Sequence, residues 1–297
     1  MKDRTKYIGG SDLGGILNIY DYSSPMLVWH RKVSGEKNKV TEAMKWGKAL
    51  EEGIKKEFKK RNRRLKIRNA RFLTHREFPY LAGHPDGYVI ERDGTKCILE
   101  IKTTDKYCEA DWKEGIPPQC YAQVQWYMGL ANLQKAYVYC LCGGNTPYKY
   151  EIPRCDAYIE HAIQKAVGFW NGYVLTKIRP FTTGKDCDKR LLGQRIESSK
   201  KEDVYRTNYI DRKVEDLERL KKEVKEKKKE ADLAHCKVLE VMEDHRNVES
   251  HQFKLEFKNI DRISVDTHAL KEKYPDVFEK VRKQGSSSRL SIKEKSK

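Results

Sequence analysis

An acidic residue two places before a lysine recurs through so charged a chain, as in Glu57-Phe58-Lys59, Glu256-Phe257-Lys258 and Glu100-Ile101-Lys102. The triplet alone points to nothing; its surroundings do. Glu57 lies in a helical segment among basic residues. Glu256 and Lys258 lie on the polar side of an alternating strand with Phe253, Leu255 and Phe257, so all of these read as solvated charges. Glu100 instead interrupts Cys97-Ile98-Leu99-Glu100-Ile101, an apolar run of the kind buried on both faces of a sheet. A carboxylate there is costly unless a metal ion or a cationic side chain compensates it. The bland alternative is a structural Asp86 with Glu100 and Lys102 as a surface ion pair.

One strand earlier stands His84-Pro85-Asp86-Gly87, with an acidic residue at a bend. Pairing the two strands could bring Asp86 and Glu100 within reach of one ion. Two carboxylates, the carbonyl of Ile101 and water make an oxygen-only donor set, which suits Mg²⁺ or Mn²⁺. Such an ion polarises a phosphodiester oxygen and acidifies its bound water. Lys102 would orient that water or neutralise charge in the transition state. Glu51 sits at the edge of a helical stripe and can complete the metal shell, directly or through water. Gln123 lies one turn before Tyr127 and can hold either the water or the scissile phosphate. Gly9-Gly10-Ser11 at a helix start offers free amides and a hydroxyl to a phosphate, with Arg4 and Lys6 nearby. His84 reads as a positioning or packing residue.

These residues need a scaffold. Ile8-Gly9-Gly10-Ser11-Asp12 reads as a loop entering a helix over Leu13–Leu17, with Ser11 or Asp12 as its cap. Thr41–Lys60 reads as a helix with the apolar stripe Met44, Trp46, Leu50, Ile54 and Phe58, followed by a basic stretch. Leu81–Glu91 and Lys96–Thr103 read as a hairpin turning at Arg92-Asp93-Gly94. Gln119–Asn132 reads as a helix entered through Pro117-Pro118, Lys135–Cys142 and Tyr148–Ile152 as strands, and Asp156–Leu175 as a helix. The order predicts an α/β (α+β) fold with a mixed sheet flanked by helices. Beyond that, Asp211 to about His245 carries a heptad seam of Leu217, Leu220, Val224, Lys227, Ala231, Ala234, Val238 and Val241. Gln252–Ile260 alternates like an exposed strand, Asp266 caps a short helix interrupted at Pro275, and Ser286-Ser287-Ser288 leads into a basic tail. The expected division is residues 1–185 as the catalytic domain, 186–210 as a linker, and 211–297 as a helical, coiled-coil region.

The chain has 297 residues and a formal charge of +17, which attracts polyanions, nucleic acid foremost. No apolar run approaches the roughly 20 residues of a membrane span, and no signal peptide follows Met1-Lys2-Asp3-Arg4, so a cytoplasmic protein without a membrane partner is expected. None of the eight cysteines forms a CxxC pair, so they read as reduced, packed thiols and not as ligands of a structural metal or cluster.

Taken in order, Ile8-Gly9-Gly10-Ser11-Asp12, Trp46-Gly47-Lys48-Ala49-Leu50-Glu51, His84-Pro85-Asp86-Gly87, Leu99-Glu100-Ile101-Lys102 and Ala122-Gln123-Val124-Gln125 resemble the phage lambda exonuclease family, most closely its YqaJ-type viral recombinase branch. The likeness covers about residues 4 to 180. It implies a PD-(D/E)xK nuclease core and Mg²⁺-dependent 5′→3′ digestion of double-stranded DNA, with Mn²⁺ as a substitute and two ions per site. The resulting 3′ single strands would pass to a single-strand annealing protein in phage-type recombination. By motif, Asp86, Glu100 and the Ile101 carbonyl would bind metal, Lys102 would act on the nucleophilic water, Glu51 would support the second ion or its water, and Gln123 would position the nucleophile. Ser11 and Arg4 would hold the terminal 5′-phosphate. A homo-oligomer is implied as well; the long region beyond residue 200 departs from the lambda enzyme and puts its ring-shaped trimer in question. The rivals are an endonuclease of the restriction or repair kind, and a DNA-binding recombination scaffold with an inactive site.

Overall fold

A computed structural model describes residues 3–35, 40–199, 207–260 and 264–282, and the chain divides into two compact units, 1–199 and 200–297. The first unit opens with a single-turn helix, Arg4–Lys6, and a second, Gly10–Asp12, that runs into α1 (Leu13–Ile16). It continues through α2 (Pro25–Ser34) and α3 (Glu42–Arg61) to β1 (Lys66–Arg68), β2 (Leu73–Thr74), β3 (Ala82–Gly83), β4 (Gly87–Ile90) and β5 (Lys96–Thr104). After α4 (Glu109–Lys113) and α5 (Pro118–Ala131) come β6 (Lys135–Cys142), β7 (Thr146–Pro153), α6 (Asp156–Phe169) and α7 (Asp186–Glu197).

The sheet runs β1-β4-β5-β6-β7, with β5 and β6 parallel and the other neighbours antiparallel. A parallel pair needs a crossover, and α4 and α5 supply it. The expected mixed sheet is therefore present. β5 is its central strand, and its two faces bury different partners. Cys97, Leu99 and Ile101 pack with Ile54 and Phe58 of α3 and with Tyr137 and Tyr139 of β6. Ile98 lies in the larger cluster on the other face, with Val124, Trp126 and Met128 of α5. The two-residue alternation of a strand then directs Glu100 and Lys102 to the α5 side.

Several sequence expectations need correction. Only the C-terminal half of the α3 stripe is buried: Ile54 and Phe58 are in the core, whereas Met44, Trp46 and Leu50 are 48%, 63% and 40% exposed. Periodicity alone cannot tell which part of such a stripe the rest of the chain covers. α2 was not foreseen, and its start is marked by Ser24, whose side chain accepts from the Leu27 N–H at 3.0 Å, and by Pro25. The segment expected as a linker begins with α7, which belongs to the first unit; only 200–206 of it lies outside the described residues.

In the second unit α8 (Asp211–Met242) is followed by a short hairpin, β8 (Asn247–Glu249) with β9 (Lys254–Glu256), and by α9 (Thr267–Lys273) and α10 (Pro275–Val281). β8 supplies a pairing strand that the sequence did not suggest. Asp266 caps α9 through the N–H groups of His268 and Ala269, as expected. The basic tail after Ser286 lies outside the described residues. Among the described residues no helix is long and apolar enough to cross a membrane.

α7 is held by one carboxylate. Asp188, 1% exposed, accepts from the Ser24 hydroxyl and from the backbone N–H and hydroxyl of Thr183 at 2.6 and 2.8 Å. Burial alone would raise this carboxyl, but the Ser24 and Thr183 donors and the Lys185 charge outweigh it and hold the group below its ordinary value. A depressed folded pKa contributes stability that is present above the unfolded value, about 3.9, and is lost as the pH falls through the lower folded one. Asp188→Ala should therefore cost about 2–4 kcal/mol at neutral pH. The gap to wild type in urea unfolding should narrow as the pH falls below about 4.

Candidate active site

The register of β4 against β5 ends with Gly87 opposite Leu99, so Asp86 and Glu100 stand one residue beyond that last pair. Asp86 is half-buried where the chain bends into β4, and its Oδ2 accepts from the Ile101 N–H at 2.8 Å. This bond ties the bend to the middle of β5. Burial raises the Asp86 carboxyl, while the Ile101 N–H and the Lys102 charge oppose the shift.

Glu100 is 2% exposed. Its Oε1 accepts from Lys102 Nζ at 2.8 Å and from Gln123 Nε2 at 2.7 Å. Its Oε2 is buried with no hydrogen-bond partner. Burial pushes this carboxyl up to about 7, with Lys102 opposing and the negative charge of Asp86 adding to the shift. Lys102 donates also to Gln123 Oε1 at 2.9 Å, and its ammonium stays charged because Glu100 outweighs the effect of burial. One oxygen of a buried carboxylate thus holds two donors, and the other waits for a partner the protein does not supply.

That orphaned oxygen tests whether a cation fits. A buried carboxylate oxygen without a donor is uncommon, and a positive ion would satisfy it. Asp86 and Glu100 are hard oxygen donors, as Mg²⁺ or Mn²⁺ requires. Among the described residues no three His, Cys, Asp or Glu side chains gather as a ready-made metal group. The side-chain donors here are the two carboxylates, so carbonyl oxygen and water would have to complete a shell. The fit is to a divalent ion that keeps several waters, as Mg²⁺ does.

Gln123 comes from α5, where Tyr127 follows it by one turn. Gln123 Nε2 lies 3.1 Å from the Tyr127 hydroxyl, and both side chains are buried. Every polar end of the Gln123 amide is therefore committed to Glu100, Lys102 or Tyr127. Tyr127 was not among the expected site residues. The signal for it lay in two glycines. A Cβ on Gly83 would stand 2.5 Å from Tyr127 Cε1, and one on Gly10 would stand 2.9 Å from Gln123 Cγ and 3.1 Å from the Tyr127 ring. Both positions must lack a side chain for α5 to press this close to the sheet.

Gly10 joins a second element to the site. The segment before it is bonded to β3, Ile8 N–H to Tyr80 O at 2.7 Å and Ala82 N–H to Ile8 O at 2.9 Å. Ser11 follows Gly10, is exposed, and accepts a hydrogen bond from the Arg4 guanidinium. The structure thus brings Arg4 and Ser11 together beside the Gln123 end of the site. Asp12 stands at the N-cap position of α1, as expected, but its side chain makes no capping bond to that helix. It accepts from the Gly9 N–H at 2.9 Å and pairs with Lys32 at 2.7 Å. Lys32, from α2, is 8% exposed and donates further to the carbonyls of Arg4 and Tyr7 at 2.8 and 2.7 Å. This clamp on the Arg4–Asp12 segment was invisible in sequence, because α2 was.

Glu51 is only partly gathered. α3 lies on the opposite face of β5 from α5, with Gly47 against the Thr103 hydroxyl. The Glu51 charge reaches Asp86 and raises it, but both Glu51 oxygens are held by lysines, Oε1 by Lys55 at 2.7 Å and Oε2 by Lys48 at 2.8 Å. Burial would raise the Glu51 carboxyl, and these two lysines lower it instead. His84 is exposed.

Comparison with known proteins places these motifs in company. Residues 1–134 match the YqaJ-like viral recombinase domain. Over 98% of this chain and 92% of the relative, the sequence is 30% identical to the uncharacterized protein YqaJ of Bacillus subtilis (strain 168). Among solved structures it is similar to an alkaline exonuclease (LHK-Exo) from Laribacter hongkongensis, with TM-score 0.48 and 15% identity, covering 66% of this chain and 96% of that one. It is also similar to a phage-related exonuclease from Haemophilus somnus 129PT, with TM-score 0.46 and 14% identity, covering 58% and 95%.

The glycine contacts can be checked directly. Gly83→Ala must displace the buried Tyr127 ring and should cost about 1–3 kcal/mol. Gly53→Ala, on α3 with nothing within 4 Å of its Cβ position, should leave stability unchanged or slightly raised. Urea unfolding followed by tryptophan fluorescence reads the right unit, because Trp29, Trp46, Trp112, Trp126 and Trp170 all precede residue 199. Equal costs at the two positions would refute the packing account.

Proposed function

The chain belongs to the YqaJ-like viral recombinase family, and from that premise we propose that it is a metal-dependent exonuclease of double-stranded DNA, digesting 5′→3′ and leaving 3′ single strands for recombination. The observation that carries this reading is the Glu100 carboxylate: buried, anchored at one oxygen by Lys102 and Gln123, unpartnered at the other, and electrostatically coupled to Asp86. Asp86, Glu100 and the Ile101 carbonyl would hold Mg²⁺, or Mn²⁺ in its place, with Glu51 supporting a second ion or its water. When bound, the metal polarises the phosphodiester and provides an acidified water.

The protein's own groups do the rest. Lys102 carries a charge fixed 2.8 Å from Glu100, so it can stabilise negative charge that develops on the attacked phosphate without reorganising. Gln123 acts first as a positioning residue, because its amide sets the places of both Glu100 and Lys102. It can reach a water or phosphate only by exchanging one of those bonds. Arg4 and Ser11 form an exposed pair suited to a terminal 5′-phosphate, a guanidinium and a hydroxyl presented by the Gly10–Asp12 turn. End recognition by this pair favours an exonuclease over an endonuclease. The charge of +17 favours DNA as the partner and makes binding salt-dependent. A single-strand annealing protein would take the product strand. Residues 1–199 would be the catalytic domain. The activity belongs to the cytoplasm of a bacterial cell in a phage or prophage setting.

The test is linear duplex DNA labelled separately at each 5′ and 3′ end, with Mg²⁺ or with a chelator. Wild type should release label from 5′-phosphorylated ends, and chelation or Glu100→Ala should lower the rate by at least about a thousandfold. Ser11→Ala and Arg4→Ala should slow 5′-phosphorylated ends by about tenfold while sparing 5′-hydroxyl ends. Cleavage of closed circles would replace this reading with an endonuclease. Absence of metal-dependent cleavage on any duplex would leave a DNA-binding scaffold.

A further inference from the structure

α8 is described along its whole length and buries a single side chain, Met242, at its end. Its heptad seam faces water. Leu217, Val224, Ala231 and Val238 occupy the a positions, and Leu220, Lys227, Ala234 and Val241 the d positions. Of these, Leu217, Leu220, Val224, Val238 and Val241 are 38%, 49%, 69%, 44% and 78% exposed. Apolar residues spaced alternately three and four apart over more than three heptads form a face that helices normally bury against another helix.

The charges beside the seam identify the occupant. Asp216, Glu223, Glu230 and Lys237 occupy the g positions, and Lys221, Lys228, His235 and Met242 the e positions, so acids and bases are divided between the flanks from Asp216 to His235. In a parallel, in-register pair each g residue meets the e residue five places on in the other helix. Here that pairing sets Asp216 against the partner's Lys221, Glu223 against the partner's Lys228, and Glu230 against the partner's His235, and symmetry repeats all three on the other flank. An antiparallel pair that keeps the seam aligned would set Glu223 against Lys237 but also Glu230 against its own copy and Lys228 against its own copy, whereas the parallel pair brings no like charges together. The sign pattern therefore selects one orientation.

Lys227 is the charged residue within the seam, and the structure shows how it is accommodated. Its Nζ lies 2.8 Å from Glu230, so the ammonium leans to the g flank and leaves the seam to its aliphatic stem. Two such lysines diverge to opposite flanks, whereas a third would crowd the axis. Ala231 and Ala234 directly follow, and small residues let the two backbones approach there. Within one helix Arg219 pairs with Asp216 and Glu223, and Lys221 with Glu218. These pairs are exposed and weak, so they exchange readily for contacts across an interface.

We propose that α8 is a self-association surface on which two copies of this chain join as a parallel, in-register coiled coil through residues 217–241. The association does not depend on the nuclease reading, and its test uses mass and covalent capture in place of activity.

Sedimentation of the full chain over a concentration series should give a dimer whose affinity weakens by about tenfold in Glu223→Lys and, separately, in Lys228→Glu. The double variant Glu223→Lys, Lys228→Glu should restore it. Orientation is read with Val224→Cys in a background where the exposed Cys108 and Cys236 are serine. Mild oxidation should give a disulfide-linked dimer, because a-position residues face their own copies in a parallel pair. Helix content by circular dichroism should match wild type in every variant. A monomer at all concentrations overturns the proposal. So does an oligomer whose mass ignores both charge reversals, which would place association elsewhere in the chain. Capture only when Val224→Cys is combined with Ala234→Cys would overturn the orientation.

Discussion

The Glu100 carboxylate is the constraint to which the first unit is built. An ionised carboxylate inside a sheet is destabilising unless its oxygens are satisfied, and removing one partner from such a group is more harmful than never having buried it. Lys102 can reach Glu100 because both lie on the same face of β5. Gln123 can reach both because α5 packs close above that face. The closeness in turn excludes side chains at Gly10 and Gly83, where Tyr127 and Gln123 occupy the space a Cβ would need. Gly10 lies between the fully buried Ile8 and Leu13, and its segment is further held by the bonds of Ile8 to Tyr80 and Ala82 and by the buried ammonium of Lys32. A single charge at the centre thus sets the packing of a helix, the identity of two glycines and the fastening of the N-terminal segment.

The centre is nonetheless left incomplete. Half-satisfied buried networks are less stable than either apolar packing or full satisfaction. Here the incompleteness is local: one oxygen of Glu100 lacks a donor, and the Asp86 charge nearby makes matters worse. Everything around it is over-determined, from the Asp86–Ile101 bond to the Lys102–Gln123 bond. An unpaired anion held this firmly is destabilising as it stands, and the proposed cation would relieve that cost. The same logic does not apply to Glu51, whose oxygens are already matched by Lys48 and Lys55. For Glu51 to serve the proposed metal it would have to leave one lysine.

The sequence made the central strand legible because a carboxylate in an apolar run is a local anomaly. β5, β6, α5, α6 and α8 were all foreseen, since each carries enough periodic or apolar residues to be read alone. What it could not convey was partnership. α2 has a cap and an N1 proline, yet its apolar positions are too few to stand out, and with it went Lys32. Tyr127 looked like one more aromatic on an apolar helix; only its contacts with Gly83 and Gln123 distinguish it. α7 was hidden because its ties to the unit, Asp188 and the Lys185 ammonium on the carbonyls of Tyr20 and Ser23, are charges that look solvated in sequence. Short β8 depends wholly on β9 for its pairing, and three residues give no period to detect.

Periodicity also has a limit that α3 and α8 expose together. Both show apolar residues three and four apart, and on both most of the stripe faces water. On α3 the lysines that flank it, Lys45, Lys48 and Lys55, are all paired with glutamates of the same helix, so the charges carry no sign pattern that a second helix would answer. On α8 acids keep to one flank of the seam and bases to the other over two heptads and more. An apolar stripe states only that a face prefers to leave water. The order of charges along its edges states what should cover it, because orientation and register change which charges meet while leaving the apolar contacts nearly equivalent. By that criterion the exposed face of α3 names no occupant, and the exposed face of α8 names its own copy.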